Sequence, residues 1–325
     1  MRVEGGRQAI ADWIKGVAII LMVYGHLTHI GKQDYLQNNF VEVIYTFHMP
    51  LFLIISGFFV NLKSNLSEAF HKTFRRIMVP YFVFGSLYML GLMLIRSLNI
   101  HTNNSPPATM LDFFKILFFQ PRGAYWFLHS LIILQASILA SRHLTVCCKS
   151  NYPFVILAVF FIAMACQLGL LLPRIAVFFL IGLLLRKFSD VIPNALFSGI
   201  FLIGLIALIG NNEITVFSLF QVSWVLAILL FLAGLGLVLF QQKIFAFGVW
   251  VGRNSLIILC FHAFFIVMFK PLANLFLLID ATGLLYSFVV TLIATFGSIY
   301  SARIFDKLKL SKVLFGVNQL FVLRD

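Results

Sequence analysis

Long apolar blocks alternate with short clusters of charge, Gly, Pro and Asn along almost the whole chain. About 18 or more apolar residues, at ~1.5 Å each in a helix, cross a ~30 Å hydrocarbon core. Such runs recur from Trp13 nearly to the C-terminus. Turn residues and charges divide them into ten candidate spans, at 13–30, 41–60, 77–96, 124–141, 152–169, 172–186, 195–210, 217–240, 250–269 and 283–302. The sixth is short and opens on Pro173 and Arg174, the features of a tilted or re-entrant segment. The pattern predicts an all-α, polytopic transmembrane bundle. A β-barrel would instead alternate apolar and polar residues over short segments.

Composition agrees with the pattern. The 325 residues are 61% hydrophobic and 11% charged, against about 25% charged in soluble domains, which excludes a soluble fold. The 38 Phe suit lipid-facing and interhelical packing. The expected organisation is one membrane domain over 1–325 without an appended soluble domain. Glu4, Asp12 and Lys15 lead straight into the first apolar run with no small-residue cleavage site, so that helix is expected to be retained. Cys147, Cys148, Cys166 and Cys260 form no CxxC and are expected to be reduced or lipid-buried.

A net charge of +13 invites comparison with nucleic-acid binders, but in a membrane chain Lys and Arg first report topology. With the N-terminus in the cytoplasm, eighteen fall on the cytoplasmic side of the ten spans and six on the other. That asymmetry predicts an even number of spans with both termini cytoplasmic. It gives no reason to expect a nucleic-acid partner. The longest non-apolar stretch, Asn99 to Pro121, then lies outside as a turn-rich loop suited to an acceptor entrance. The stretch from Asn61 to Arg76 is a cytoplasmic loop ending in Lys72, Arg75 and Arg76.

Ionisable residues within spans are costly, and each is a functional candidate. Lys15 and His26 are eleven residues apart, which puts them on one helix face about 16 Å apart along the axis. His48 and His262, placed by their spans, lie at nearly the same depth as His26. Three imidazoles at one depth predict a shared polar cavity, and imidazole, with its unperturbed pKa of ~6.5, accepts and returns a proton near neutrality. No Asp, Glu or Cys stands at ligand spacing, and no metal is expected. Lys15 reads equally as an interfacial snorkelling lysine. The Lys72, Arg75 and Arg76 cluster reads as stop-transfer charge that attracts anionic lipid or as a polyanion site.

Several motifs together resemble the membrane acyltransferase 3 family of integral-membrane O-acyltransferases. Asp12-Trp13-Ile14-Lys15-Gly16 followed by Tyr24-Gly25-His26 resembles its first-helix signature. Phe47-His48-Met49-Pro50-Leu51-Phe52 with Ile55-Ser56-Gly57-Phe58 resembles its second, and Arg75-Arg76 with Pro80-Tyr81 its basic third-helix entrance. Tyr125-Trp126-Phe127-Leu128 and Gly252-Arg253-Asn254-Ser255 with Phe261-His262 resemble later patterns. Lys15 and Lys72 stand where many relatives have Arg, which keeps the charge and loses the bidentate fork.

The resemblance implies transfer of an acyl group, most often acetyl from acetyl-CoA, to a hydroxyl of a cell-surface glycan or its lipid-linked precursor at a bacterial inner membrane. The compact chain is similar in style to the sugar O-acetylases of exopolysaccharide, lipopolysaccharide and nodulation-factor pathways. In these terms Lys15, Lys72, Arg75 and Arg76 hold the donor's phosphates. His26 serves as general base or carries a transient acyl group, and His48 and His262 assist it. Asp12, Tyr125, Trp126 and Asn254 contact substrate. A flippase for a lipid-linked glycan or a membrane scaffold are the competing expectations.

Overall fold

The computed structural model describes residues 3–27, 30–31, 35–62, 64–97, 105–148, 152–186, 199, 202 and 217–321. Every regular element among them is helical, as the hydropathy predicts. A bilayer offers backbone N–H and C=O groups no partners, so each segment satisfies its own. Seven of these helices are long and apolar enough to cross a membrane, and the helices over Tyr152–Gln167 and Pro173–Leu185 are apolar but shorter. The expected span at 195–210 lies outside the described residues, apart from two isolated positions.

The chain forms two compact units. The first, 1–59 with 178–304 and 320–325, holds α1 (Val3–Gly25), α2 (Tyr35–Phe58) and most of α8 (Pro173–Leu185). It also holds α9 (Leu219–Val238), α10 (Lys243–Arg253), α11 (Ser255–Phe269), α12 (Ala273–Leu277) and nearly all of α13 (Leu284–Lys307). Close backbone approach organises it. A Cβ on Gly16 of α1 would fall on the Gly248 carbonyl of α10, and one on Gly252 would fall on the Asp12 carbonyl. Gly248 and Gly252 thus work as a small-xxx-small face, which lets helices touch in a solvent that gives them no hydrophobic reason to associate. Trp13 fills the neighbouring space, its ring beside Gly236 and Gly248 and its Nε1–H donated to the Leu232 carbonyl at 3.1 Å. Trp224 ties α9 to α2 by donating to Thr46 Oγ1 at 2.9 Å.

The expected span 250–269 is two helices. Asn254 (φ −96°, ψ 9°) separates α10 from α11, and its Nδ2 donates to the Trp250 carbonyl at 2.8 Å. A short amide side chain that bonds the preceding turn competes with helix continuation.

The second unit, 60–177 with 305–319, holds α3 (Leu66–Thr73), a π-helical turn (Phe74–Met78), α4 (Val79–Ser97), α5 (Met110–Phe119), α6 (Trp126–Leu144), α7 (Tyr152–Gln167) and α14 (Leu310–Leu314). Two stretches expected to be loops contain helices. Asn65 caps α3 by accepting from the Ser67 N–H, and Thr109 caps α5 by accepting from the Asp112 N–H. Each supplies an acceptor for otherwise orphaned first-turn donors, allowing a short polar-flanked helix to form. Lys72, Arg75 and Arg76 are therefore helical, and the turn carrying the two arginines is π, an irregularity frequent at functional sites. Exposed Leu87, Leu90 and Leu94 on α4, with Val155, Ile156, Val159 and Phe160 on α7, suit contact with lipid chains.

Candidate active site

His26 follows the last residue of α1, held in a closing turn by bonds from its N–H to the Met22 and Val23 carbonyls. Its ring stacks on that of His262 from α11, with centroids 5.4 Å apart and planes 14° from parallel. Tyr45 of α2 lies on another side, its Oη 3.5 Å from His26 Nδ1. The Tyr45 ring also stands 5.3 Å from that of His48. One aromatic group therefore links the histidines of α1 and α2, and stacking links α1 to α11. His48 and His262 are buried, whereas His26 is half-buried and Tyr45 exposed.

The protons on the buried pair are assigned by their partners. His48 Nδ1 lies 2.7 Å from the Ile44 carbonyl, and His262 Nδ1 lies 2.9 Å from that of Ile258 and 3.1 Å from that of Leu259. A carbonyl only accepts, so each Nδ1 carries a proton, and in the neutral ring Nε2 presents the lone pair. The local helix thus sets the tautomer in both cases. Such an arrangement can orient a neighbouring group or receive a proton from it.

A second cluster in the same unit surrounds Asp12. Its buried carboxylate accepts from Lys15 Nζ at 2.6 Å, and its other oxygen lies 3.6 Å from Arg253 Nε. Lys15 and Asp12 are one turn apart on α1, while Arg253 ends α10, brought near by the glycine-mediated approach. The next residue, Asn254, is buried, and its Oδ1 has no hydrogen-bond partner among the described residues. Buried acceptors are ordinarily satisfied, so this oxygen is available to an N–H or O–H donor.

In the second unit Lys72, Arg75 and Arg76 are exposed, and none makes an ion pair among the described residues. The stem of Arg75 lies against Gly316, which adopts φ +66° and leaves no room for a Cβ. Tyr125 is buried with its ring 5.5 Å from Tyr88. Trp126 borders a cavity of about 370 Å³. The two adjacent aromatics thus occupy different surroundings. No group of three or more His, Cys, Asp or Glu suited to a metal occurs among the described residues.

The profile of the acyltransferase 3 family, described as an acyltransferase domain, matches residues 9–303. The chain belongs to the acyltransferase 3 family. The chain is also similar to the nodulation protein NolL of Sinorhizobium fredii (strain NBRC 101917 / NGR234), 29% identical over 134 residues, 39% of this chain and 34% of that protein. NolL of Mesorhizobium japonicum (strain LMG 29417 / CECT 9101 / MAFF 303099) is 27% identical over 129 residues, 38% of this chain and 32% of that one. The matches span about a third of each relative. No solved structure matches the chain.

Two groups beside these clusters escaped the sequence reading of the site. Tyr45 precedes His48 by three residues, the spacing of neighbours on one helix face, and that was its available signal. Arg253 stands within a recognised motif, but its pairing with Asp12 depends on contact between α1 and α10.

Proposed function

We propose that the chain is an O-acetyltransferase of a bacterial cytoplasmic membrane, moving acetyl from acetyl-CoA to a hydroxyl of a surface glycan or its lipid-linked precursor, with both termini cytoplasmic. The observation that carries this reading is the convergence of His26, His262, Tyr45 and His48 from three helices in a chain that belongs to an acyltransferase family. His26, the most accessible of the three histidines, is the general base. It takes the acceptor hydroxyl's proton as that oxygen attacks the thioester carbonyl. The tetrahedral adduct collapses with cleavage of the C–S bond, and the imidazolium returns the proton to the departing thiolate. The products are an acetyl ester and free coenzyme A.

His262 supports one face of the His26 ring, and Tyr45 fixes its Nδ1 side. Lys72, Arg75 and Arg76 hold donor phosphates, a role supported by cations that have no carboxylate partner among the described residues. Lys15 contributes from its pair with Asp12. Asn254 Oδ1 accepts from an amide N–H of the pantetheine arm, and Trp126 contributes to acceptor binding.

Glycan mass spectrometry of cells carrying the intact chain, His26→Ala or no copy tests the reading, with membrane abundance measured in each. The expected result is a base-labile gain of ~42 Da per acetyl only with the intact chain, since transfer requires the base. Identical glycans in all three strains would overturn it.

A further inference from the structure

The cavity of about 370 Å³ lies wholly within the second unit. That volume is at the lower end of the ~300 to 1,000 Å³ of small-ligand sites, the scale of a mono- or disaccharide. Its lining includes Trp126, His129 and Ser130 from the start of α6, and Leu172, Arg174 and Ile175 around the start of α8. Residues 119–121 and the 169–171 turn complete the wall.

The polarity of this lining is one-sided. Two helices of 19 and 13 residues begin at the cavity, so the positive ends of both dipoles meet there. The helix that ends there, α5, would oppose them, but two of its last carbonyls are occupied by side chains. Tyr81 Oη donates to Leu117 O at 2.5 Å and His129 Nε2 donates to Phe118 O at 2.8 Å. Arg174 adds a guanidinium that has no carboxylate partner among the described residues, and no Asp or Glu lines the cavity. With no acid to offset Arg174 and the two helix N-termini, the wall carries positive potential, and the Trp126 indole borders it.

We propose that the cavity binds an oxyanion-bearing saccharide, with Arg174 paired to its carboxylate or phosphate and Trp126 packed on its ring. The inference rests on the reading of the chain as a glycan-modifying acyltransferase, and it narrows the acceptor to one that carries negative charge. A uronic acid and a sugar phosphate, including that of a lipid-linked precursor, share the required chemistry.

Saturation-transfer NMR on the full chain in nanodiscs separates these sources, with glucuronate, glucose 1-phosphate and glucose as probes. At least one charged probe is expected to bind about tenfold more tightly than glucose, the scale of one charge-assisted pair. The preferred probe identifies the oxyanion. Arg174→Gln is expected to abolish that preference, and Trp126→Ala to weaken binding of every probe. If the glutamine variant proves unfolded, Arg174→Lys serves instead, and retained preference for a charged probe supports the assignment. Equal binding of glucose and both charged probes, or a preference unchanged in folded Arg174→Gln, overturns it. Acetyl transfer measured on the same preparations keeps the two readings apart. Transfer without binding of either charged probe sinks this inference alone, whereas Arg174-dependent binding without transfer supports it and removes the acetylation reading.

Discussion

The two units treat positive charge in opposite ways. In the first, Lys15 and Arg253 share the buried carboxylate of Asp12 in a region drawn together by Gly16, Gly248 and Gly252. In the second, Lys72, Arg75, Arg76 and Arg174 are exposed and have no ion-pair partner among the described residues. A compensated charge is held in place and contributes to order, while an uncompensated one retains its attraction for an anion that arrives later. The first unit is therefore suited to positioning and the second to capture. The histidines agree with this division, since His48 and His262 have Nδ1 bound to their own helices.

The contrast breaks most severely if the close packing of the first unit is removed. Gly252→Leu would drive a side chain into the Asp12 carbonyl, whereas Gly6 has open space around it. We expect loss of folded protein from the first substitution, at a cost of at least ~3 kcal/mol, and a near-neutral result from Gly6→Leu. Thermal unfolding in detergent measures both. Next in size, His26→Ala should lower acetyl transfer by about 10²- to 10⁴-fold, the usual contribution of a general base, with unchanged membrane abundance.

Charge removal sharpens the contrast directly. Arg75→Ala with Arg76→Ala should raise KM for acetyl-CoA by roughly tenfold or more and leave the melting temperature unchanged, because these groups have phosphate to bind and no native partner to lose. Asp12→Asn should instead act on stability. It should lower stability by about 1 to 2 kcal/mol, less than the ~3 to 5 for a fully buried pair, since both cations are partly exposed to solvent. Equal stability losses in both variants would dissolve the distinction.

The smallest effect belongs to Asp280, outside the spans and ahead of α13. The Leu285 N–H, 2.8 Å from Oδ2, and the Thr282 hydroxyl, 2.5 Å from Oδ1, hold this carboxyl below the usual carboxylate range. A depressed folded-state pKa means the contribution is present above the unfolded value of ~3.9 and disappears as pH falls through the folded one. Hydrogen exchange at Leu285 should therefore show lost protection at acid pH. Asp280→Asn should show reduced protection already at neutral pH.

The long apolar helices and the candidate histidines were legible because each rests on local information. An apolar run reports its own length, and an imidazole inside one is conspicuous. The short helices α3 and α5 were less legible, since caps at Asn65 and Thr109 sustain them among charges and turn residues. The division of the ninth span at Asn254 was hidden for the opposite reason, because hydropathy continues across a break that one side chain makes. Trp126 and Tyr125 are adjacent in sequence and alike in chemistry, yet one borders a cavity and the other packs on Tyr88.

By itself, the sequence determined that this is an all-helical membrane protein with rare ionisable groups in its helices, because the transfer of side chains from water to hydrocarbon is a property of each segment alone. Only the tertiary structure decided that His26 stacks on His262, that Tyr45 joins His26 and His48, and that Arg253 shares Asp12 with Lys15. Those pairings join residues as much as 241 positions apart. They depend on how closely helices approach and how they rotate about their axes, which small residues and complementary packing set between helices.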